Sequence, residues 1–363
     1  MNNDIFFMKK ALRLARRAQG FTSPNPLVGA VIVKRGIIIA SGYHKKAGLP
    51  HAEIEAIHRA KDKLKGSTLY VNLEPCCNFG RSGPCVDEII SQDIRRVVTA
   101  AADPNPKVNG KSIKKMLKSG INVKVGVCEK EAKALNEIFF TVMQKKRPFV
   151  AAKTAQSLDG KTATRKGFSK WITSERSRDF SKSFRDIYDC ILVGINTVLA
   201  DNPRLNGKKK IPFKAVIDSS LQIPVSSQLV SKYSDKLIVI TSSRNRKKAS
   251  KFPKDIVFIF MGESKEFKPK DIIKKIYELG ITSVFIEGGS ETLGRFFDAR
   301  LVDKAYFFIA PKIIGGKNAL GSVGAKGNPN IASCPVLDKL KAVNIGEDIL
   351  VTGYPVYKKN EGI

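Results

Sequence analysis

The sequence predicts two α/β domains in one chain, on three observations. At 363 residues it is longer than a single hydrophobic core usually grows. Strand-like and helix-like segments alternate after one opening hairpin, which argues a mixed sheet covered by helices. A basic, proline-ended break, KKRP at 145–148, then separates a first set of elements from a second. The predicted domains are residues 1–146 and 147–363.

In the first domain Asp4 is placed to cap a helix whose apolar positions Met8, Ala11, Leu12 and Ala15 recur at helical spacing. LVGAVIV at 27–33 and IIIASG at 37–42 flank KRG and predict a hairpin of buried strands. A helix over 52–64, a strand over 68–74, a helix over 84–92, a strand over 95–102, a helix over 111–119 and a strand over 122–127 follow. In the second domain strands are predicted at 149–156, 190–194, 214–219, 236–241, 256–261, 283–289 and 305–311, with closing strands near 343–355. Its helices are predicted at 174–185, 270–279 and 291–299. No internal repeat or low-complexity segment interrupts either set.

Composition narrows the class. Hydrophobic residues at 42% and charged residues at 27% are ordinary for a globular chain. The longest apolar runs fall far short of the ~18 residues of a membrane span. Lys9, Lys10, Arg13, Arg16 and Arg17 break any secretory core near the amino terminus, so a cytoplasmic protein is expected. The net charge of +31 is spread along helices and loops, with only short runs such as KKK at 208–210 and RNRKK at 244–248. That distribution describes a solvated lysine-rich surface rather than a dedicated nucleic-acid face, and its field also favours a small phosphorylated substrate. Cys128, Cys190 and Cys334 stand singly in apolar or strand-like stretches, where a thiol behaves as a small hydrophobe.

The remaining cysteines need their own account, because EPCCNFGRSGPC at 74–85 holds three of the six in twelve residues. A zinc ion that activates water takes three protein ligands and keeps a fourth position open. His51 stands just before a helix, Cys76 at a strand end after Pro75, and Cys85 after Pro84 at the start of the next helix, where helix amino termini favour thiolates. Glu53 is placed to carry protons without coordinating. H-x-E followed by P-C and a further Cys is the pattern of zinc-dependent base deaminases, although their usual cysteine spacing is two residues and here a longer loop intervenes. Cys77 is the rival ligand, read as packing because neighbouring strand residues face opposite ways. His58, seven residues along the helix from His51, is a second rival. A disulfide and a purely structural zinc stay open as alternatives.

PNPLVGAVIV at 24–33, GYH at 42–44, HAEIEAI at 51–57, YVNLEPCCNFGRSGPC at 70–85 and DPNPKVNGK at 103–111 resemble the deaminase half of the bifunctional riboflavin-biosynthesis deaminase/reductases, in which the long loop between the cysteines is characteristic. The resemblance implies a cytidine-deaminase-like three-layer fold and a zinc site of His51, Cys76 and Cys85, with Glu53 catalytic. The implied substrate is a pyrimidine carrying a ribosylamino 5'-phosphate that loses an exocyclic amino group as ammonia. Asn25, His44, Arg81 and Asn105 become candidates for ribose or phosphate contacts, against ordinary turn chemistry for their Asn-Pro pairs.

The second domain has no G-x-G-x-x-G, but VFIEGGSETLGRF at 284–296 runs a strand through glycines into a helix. The amides of Gly288, Gly289 and Ser290 would suit a phosphate there, or form a tight packing turn. KTAQSLDGKTAT at 153–164, SKWITSERSR at 169–178, ILVGINTVLADNPRL at 191–205 and VIDSS at 216–220 resemble the reductase half of the same family, which implies a dihydrofolate-reductase-like fold and NADPH. By position the resemblance assigns to the dinucleotide Ala155, Trp171, Thr197, Asp201, Ser219 and the run Gly289, Ser290, Glu291, Thr292, Leu293, Gly294 and Arg295. To the substrate it assigns Ser169, Arg185, Leu205 and Glu287, with either Arg204 or Lys208 as the basic residue after NPRL. Trp171 as core and Arg185 as a surface helix residue are the plain alternatives. The implied chemistry is hydride delivery to the open-chain sugar carbon, with Lys153 or Asp201 as supporting group. A zinc-dependent polynucleotide-editing deaminase with a basic binding domain is the competing reading, and the resemblance further implies a homo-oligomer.

Overall fold

The computed structural model describes residues 3–77, 83–264 and 266–358, and falls into two compact units, Met1–Lys146 and Arg147–Ile363. Among the described residues no helix is long and apolar enough to cross a membrane.

In the first unit the elements run α1 (Asn3–Arg16), β1 (Gly29–Lys34), β2 (Ile37–Tyr43), α2 (Ala52–Ala60), β3 (Thr68–Val71), α3 (Cys85–Ser91), β4 (Arg96–Thr99), α4 (Lys111–Lys118), β5 (Asn122–Val125), α5 (Glu129–Leu135) and α6 (Glu137–Lys145). The sheet order is β2-β1-β3-β4-β5, antiparallel across β1 and parallel from β3 to β5. Alternation along each strand divides the core. Ala30, Ile32, Leu69, Val71 and Val97 pack with α2, α3 and α4 on one face. Val31, Val33, Tyr70 and Val98 pack with Phe7, Met8 and Ala11 of α1 and Ala132 of α5 on the other. The result is the expected three layers.

The second unit contains β6 (Phe149–Ser157), α7 (Glu175–Phe184), β7 (Cys190–Gly194), α8 (Ile195–Asp201), β8 (Phe213–Ile217), α9 (Gln228–Tyr233), β9 (Leu237–Ser242), α10 (Arg246–Ala249), β10 (Val257–Met261), α11 (Pro269–Glu278), β11 (Ser283–Glu287), α12 (Ser290–Asp298), β12 (Lys304–Ala310), β13 (Val336–Ile345) and β14 (Asp348–Val356). Nine strands form one sheet in the order β10-β9-β8-β7-β11-β6-β12-β14-β13. All pair in parallel from β10 to β12, and β14 and β13 close the edge antiparallel. β11 is laid between β6 and β7, so the chain reverses its direction of growth beside the central strands. Ligands of open α/β sheets bind past the carboxyl ends of strands at such a point.

Several expected boundaries move for local reasons. The helix expected over 52–64 stops at Ala60, because Lys61 takes a left-handed φ of 50° and a short 3-10 turn follows. The strand expected over 283–289 ends at Glu287, where Gly288 and Gly289 turn to φ of 80° and 73°. α5, α6, α8, α9 and α10 are additions to the predicted elements; most span only four to seven residues, too few for their periodicity to stand out. Cys128 lies at the left-handed start of α5 and Cys334 beyond a 3-10 turn, so only Cys190 is a strand thiol.

Asp4 corrects another expectation. It lies inside the first turn of α1 rather than capping it. Its buried carboxylate accepts two bonds from the Arg96 guanidinium at 2.9 Å, one from Lys124 Nζ at 2.9 Å and one from the Tyr70 hydroxyl at 2.9 Å. The Arg96 contact holds this carboxyl well below the usual range. The group therefore contributes stability above the unfolded carboxylate value, near pH 4, and that contribution fades as pH falls toward the folded value. Asp4→Asn should lower stability by about 2 kcal/mol at pH 7. Urea unfolding repeated at falling pH should show the deficit shrinking below about pH 4.

Candidate active site

The first unit assembles a metal-ligand set from three places in the chain. His51 is the extended N-cap of α2, at φ −71° and ψ 162°. Cys85 is the first residue of α3, behind Pro84. Cys76 lies in the irregular segment after β3, not at the strand end itself. His51 Nδ1 is 3.1 Å from Cys85 Sγ and 3.5 Å from Cys76 Sγ, and the three ligand atoms lie within 4.8 Å of one another. Tetrahedral zinc with ~2.1 Å nitrogen and ~2.3 Å sulfur bonds needs nitrogen–sulfur edges of about 3.6 Å, so the donors fit that ion. α2 is seated close to the sheet because Gly42 of β2 leaves room: a Cβ there would meet the Ala52 carbonyl at 2.5 Å.

The protonation pattern is that of a site built for positive charge. Cys76 is drawn down to about 4, first by the hydrogen bond from the Cys85 thiol and then by His51. Cys85, which keeps the shared proton and is buried, is pushed up, and His51 is raised chiefly by Cys76. Glu53, the second residue of α2, is 3% exposed, and its Oε2 meets no hydrogen-bond partner. Burial lifts its carboxyl to about 7. An orphaned buried carboxyl oxygen beside a three-donor set is what a proton carrier at a metal centre requires.

These groups open onto a cavity of about 310 Å³. Asn25 and His44 form one polar side: Pro50 accepts the Nδ1–H of His44 at 3.1 Å, which leaves Nε2 to accept from the Asn25 amide at 3.1 Å. Asp103 and Asn105 form another, and burial lifts the Asp103 carboxyl to about 6. The buried Glu74 carboxylate holds their loop by accepting backbone N–H groups from Asp103 at 3.1 Å, Gly110 at 2.9 Å and Ser112 at 3.1 Å. Asp103 and Glu74 were not singled out in the sequence, although both stand in quoted motifs. Phe139 and Met143 of α6 also line the cavity, with no sequence signal beyond apolar spacing.

The rival ligands separate from the set. Cys77 packs against the α2–α4 core and its thiol donates to the Lys107 carbonyl at 3.8 Å. His58 is exposed on α2. All six cysteines are free, which removes the disulfide alternative. Arg81 lies outside the described residues.

In the second unit the assigned residues gather past the carboxyl ends of the parallel strands. Thr197 follows β7, Ser219 follows β8, and Gly289 to Arg295 follow β11. The segments after β7 and β11 lie close together: a Cβ on Gly288 would sit 3.6 Å from Thr197 Oγ1, and one on Gly289 3.8 Å from the same atom. Left-handed glycines leave backbone open to a ligand here, as a dinucleotide requires. Within the same run Leu293 is core, Glu291 accepts the Ala325 N–H at 3.2 Å, and Arg295 donates to the Phe267 carbonyl at 2.8 Å.

The substrate candidates divide. Arg185 is no surface residue: its guanidinium pairs doubly with Glu287, at 2.9 and 2.6 Å, and donates to the Asn206 carbonyl at 3.1 Å. Lys153 on β6 is in register with Glu287, and burial lowers its ammonium while Glu287 raises it. Leu205 is buried and next to Asn206, whereas Ser169 is exposed. Arg204 donates to Gln228 at 2.8 Å and Lys208 pairs with Asp179. Trp171 is 64% exposed with Arg178 over its ring at 4.2 Å, so it is not core. Asp201 pairs with Lys170 at 2.9 Å. Ala155 sits near the carboxyl end of β6, beside Phe308.

Comparison with known proteins covers both units. Residues 148–351 match the RibD C-terminal domain, and residues 1–101 match the cytidine and deoxycytidylate deaminase zinc-binding region. The riboflavin biosynthesis protein RibD of Aquifex aeolicus is 44% identical over 96% of this chain and 97% of its own. That of Escherichia coli is 34% identical over 95% and 98%. The solved structure of the diaminohydroxyphosphoribosylaminopyrimidine deaminase/5-amino-6-(5-phosphoribosylamino)uracil reductase of Thermotoga maritima superposes with a TM-score of 0.85 at 37% identity, covering 98% of this chain and 99% of that one. Acinetobacter baumannii RibD superposes at 0.87 with 30% identity, over 98% and 99%.

The Arg185–Glu287 pair makes its own prediction. Removing one partner leaves the other charge buried, so Arg185→Met should cost about 3 kcal/mol in denaturant unfolding, while Arg185→Met with Glu287→Met should recover most of it.

Proposed function

This chain belongs to the RibD family of riboflavin biosynthesis proteins, bifunctional deaminases and reductases, and from that membership we propose the substrate and the residues of each step. The observation that carries the proposal is the His51, Cys76 and Cys85 set beside the unpartnered Oε2 of Glu53. The substrate is 2,5-diamino-6-(5-phosphoribosylamino)pyrimidin-4(3H)-one, deaminated to 5-amino-6-(5-phosphoribosylamino)uracil, whose ribosyl group is then reduced to ribityl.

His51, Cys76 and Cys85 hold zinc, which when bound supplies the Lewis acidity that makes water a nucleophile near neutral pH. Glu53 Oε2 takes one proton from the attacking water and passes it to the ring nitrogen beside the reacting carbon, then carries the second, released as the added hydroxyl becomes the carbonyl, to the amino group, which leaves as ammonia. Burial raises this carboxyl, which favours its taking up the proton it then passes on. Asn25, His44, Asn105 and Arg81 receive the ribosyl phosphate, and the positive field of the chain favours its approach.

In the second unit NADPH supplies the hydride. Thr197, Ser219, Trp171, Asp201, Ala155 and the backbone from Gly289 to Arg295 hold the dinucleotide. Arg185, Glu287, Lys153, Leu205 and Ser169 orient the sugar, and Lys208 or Arg204 meets its phosphate. The first unit, 1–146, is the deaminase and the second, 147–363, the reductase. Six free cysteines suit a reducing cytoplasm, and a homo-oligomer completes the proposal. The polynucleotide-editing reading is not favoured, since relatives match both units over nearly their whole length.

Incubating the protein with the diaminopyrimidine ribosyl phosphate should release ammonia without NADPH, and NADPH should be oxidised only once deaminated product is present. Ammonia release that requires NADPH would overturn the two-site reading. Glu53→Gln should keep zinc, measured by elemental analysis, while ammonia release falls by about 10²-fold or more. Cys85→Ala should lose the metal. Both variants should still oxidise NADPH when given the deaminated substrate.

A further inference from the structure

We propose that α6 supplies the wall that recognises the pyrimidine ring in the deaminase cavity, with Phe139 against the ring face and Met143 beside it. The inference rests on the deaminase reading above and assigns it a specificity element.

The cavity has three kinds of lining. The ligand set and Glu53 mark where the reacting carbon must sit, and Asn25, His44, Asp103 and Asn105 offer polar atoms at its edges. A flat heteroaromatic ring also needs an apolar face, because its π surface gains little from polar groups. Pro24, Pro26, Val28, Leu73 and Val108 share that apolar lining, but Phe139 is the one phenyl ring among the described lining residues, and Met143 lies four residues on and so on the same side of the helix.

The wall is rigid. Asn136, 3% exposed at the N-cap of α6, bonds Leu27 twice: its Oδ1 accepts the Leu27 N–H at 2.7 Å and its amide donates to the Leu27 carbonyl at 2.9 Å. Asn72 donates to the same carbonyl at 2.9 Å. Leu27 is two residues from Asn25, so α6 and the Asn25–His44 pair are fastened as one unit. Val142 is buried, and Phe139 packs against the α1 core while meeting Phe140 edge-on at 6.4 Å. Each half-buried apolar side chain thus keeps one side for the cavity. α6 lies past residue 101, where the match to the general deaminase zinc-binding region ends, so this wall is an addition to the catalytic frame.

The test is steady-state ammonia release from the diaminopyrimidine ribosyl phosphate by zinc-loaded protein. Base–aromatic stacking is worth about 1–3 kcal/mol, so Phe139→Ala should raise KM about tenfold, with kcat within about threefold of wild type and zinc content unchanged. Phe139→Leu keeps most of the core volume and should raise KM about threefold, which carries the test if Phe139→Ala does not fold. Unchanged KM in a folded Phe139 variant, or a fall confined to kcat, overturns the inference while leaving the function intact. Wild-type protein that releases no ammonia overturns the underlying reading and this inference with it.

Discussion

A carboxyl oxygen taken out of water without a hydrogen-bond partner is the constraint around which the first unit is arranged. Glu53 is nearly inaccessible and its Oε2 bonds nothing, a cost that a folded protein tolerates where the group has chemistry to perform. Everything adjacent serves the same point. Two helix starts present His51 and Cys85, the chain after β3 presents Cys76, and Gly42 lets α2 approach closely enough for the three to meet. Three donors among the described residues beside a buried carboxyl would suit a zinc that activates water better than a closed structural zinc, which takes four protein ligands.

The second unit solves a different problem with the edge of a parallel sheet. Strand carboxyl ends and left-handed glycines expose backbone beside Thr197, while the doubly bonded Arg185–Glu287 pair and Lys153 place charge next to it. A guanidinium fork holding a buried carboxylate is a geometrically defined unit, so it fixes the direction in which those groups face.

Acidic groups have a common use across both units. Glu74 accepts the amides of the 103–113 loop, and Asp218 accepts those of Gln222 and Ile223 at 2.8 Å each. Asp189 fastens Thr282 through its N–H and hydroxyl. Such carboxylates are fixed to backbone donors, while many of the lysines face solvent. The net charge of +31 is therefore carried largely on the outside, where it acts on approaching anions rather than on the fold.

The sequence by itself determined the fold class, the strand–helix alternation and a short set of candidate metal ligands, because those depend on local periodicity and on residue types whose chemistry is narrow. His51, Cys76 and Cys85 stood out as candidates from helix-start and proline positions together with the H-x-E pattern, with Cys77 and His58 as rivals until the family resemblance chose among them, and the reductase motifs stood out from their order along the chain. Tertiary structure decided what depends on distant partners. Asp4 looked like a helix cap until Arg96 and Lys124, about ninety and a hundred and twenty residues away, claimed it. Arg185 could not be told from a surface arginine until Glu287 met it. Asp103 and Glu74 carry no spacing signal, and Phe139 reads as core or as wall according to what lies beyond its ring. Side-chain roles of this kind follow from which surfaces the folded chain brings together, and no local pattern encodes that.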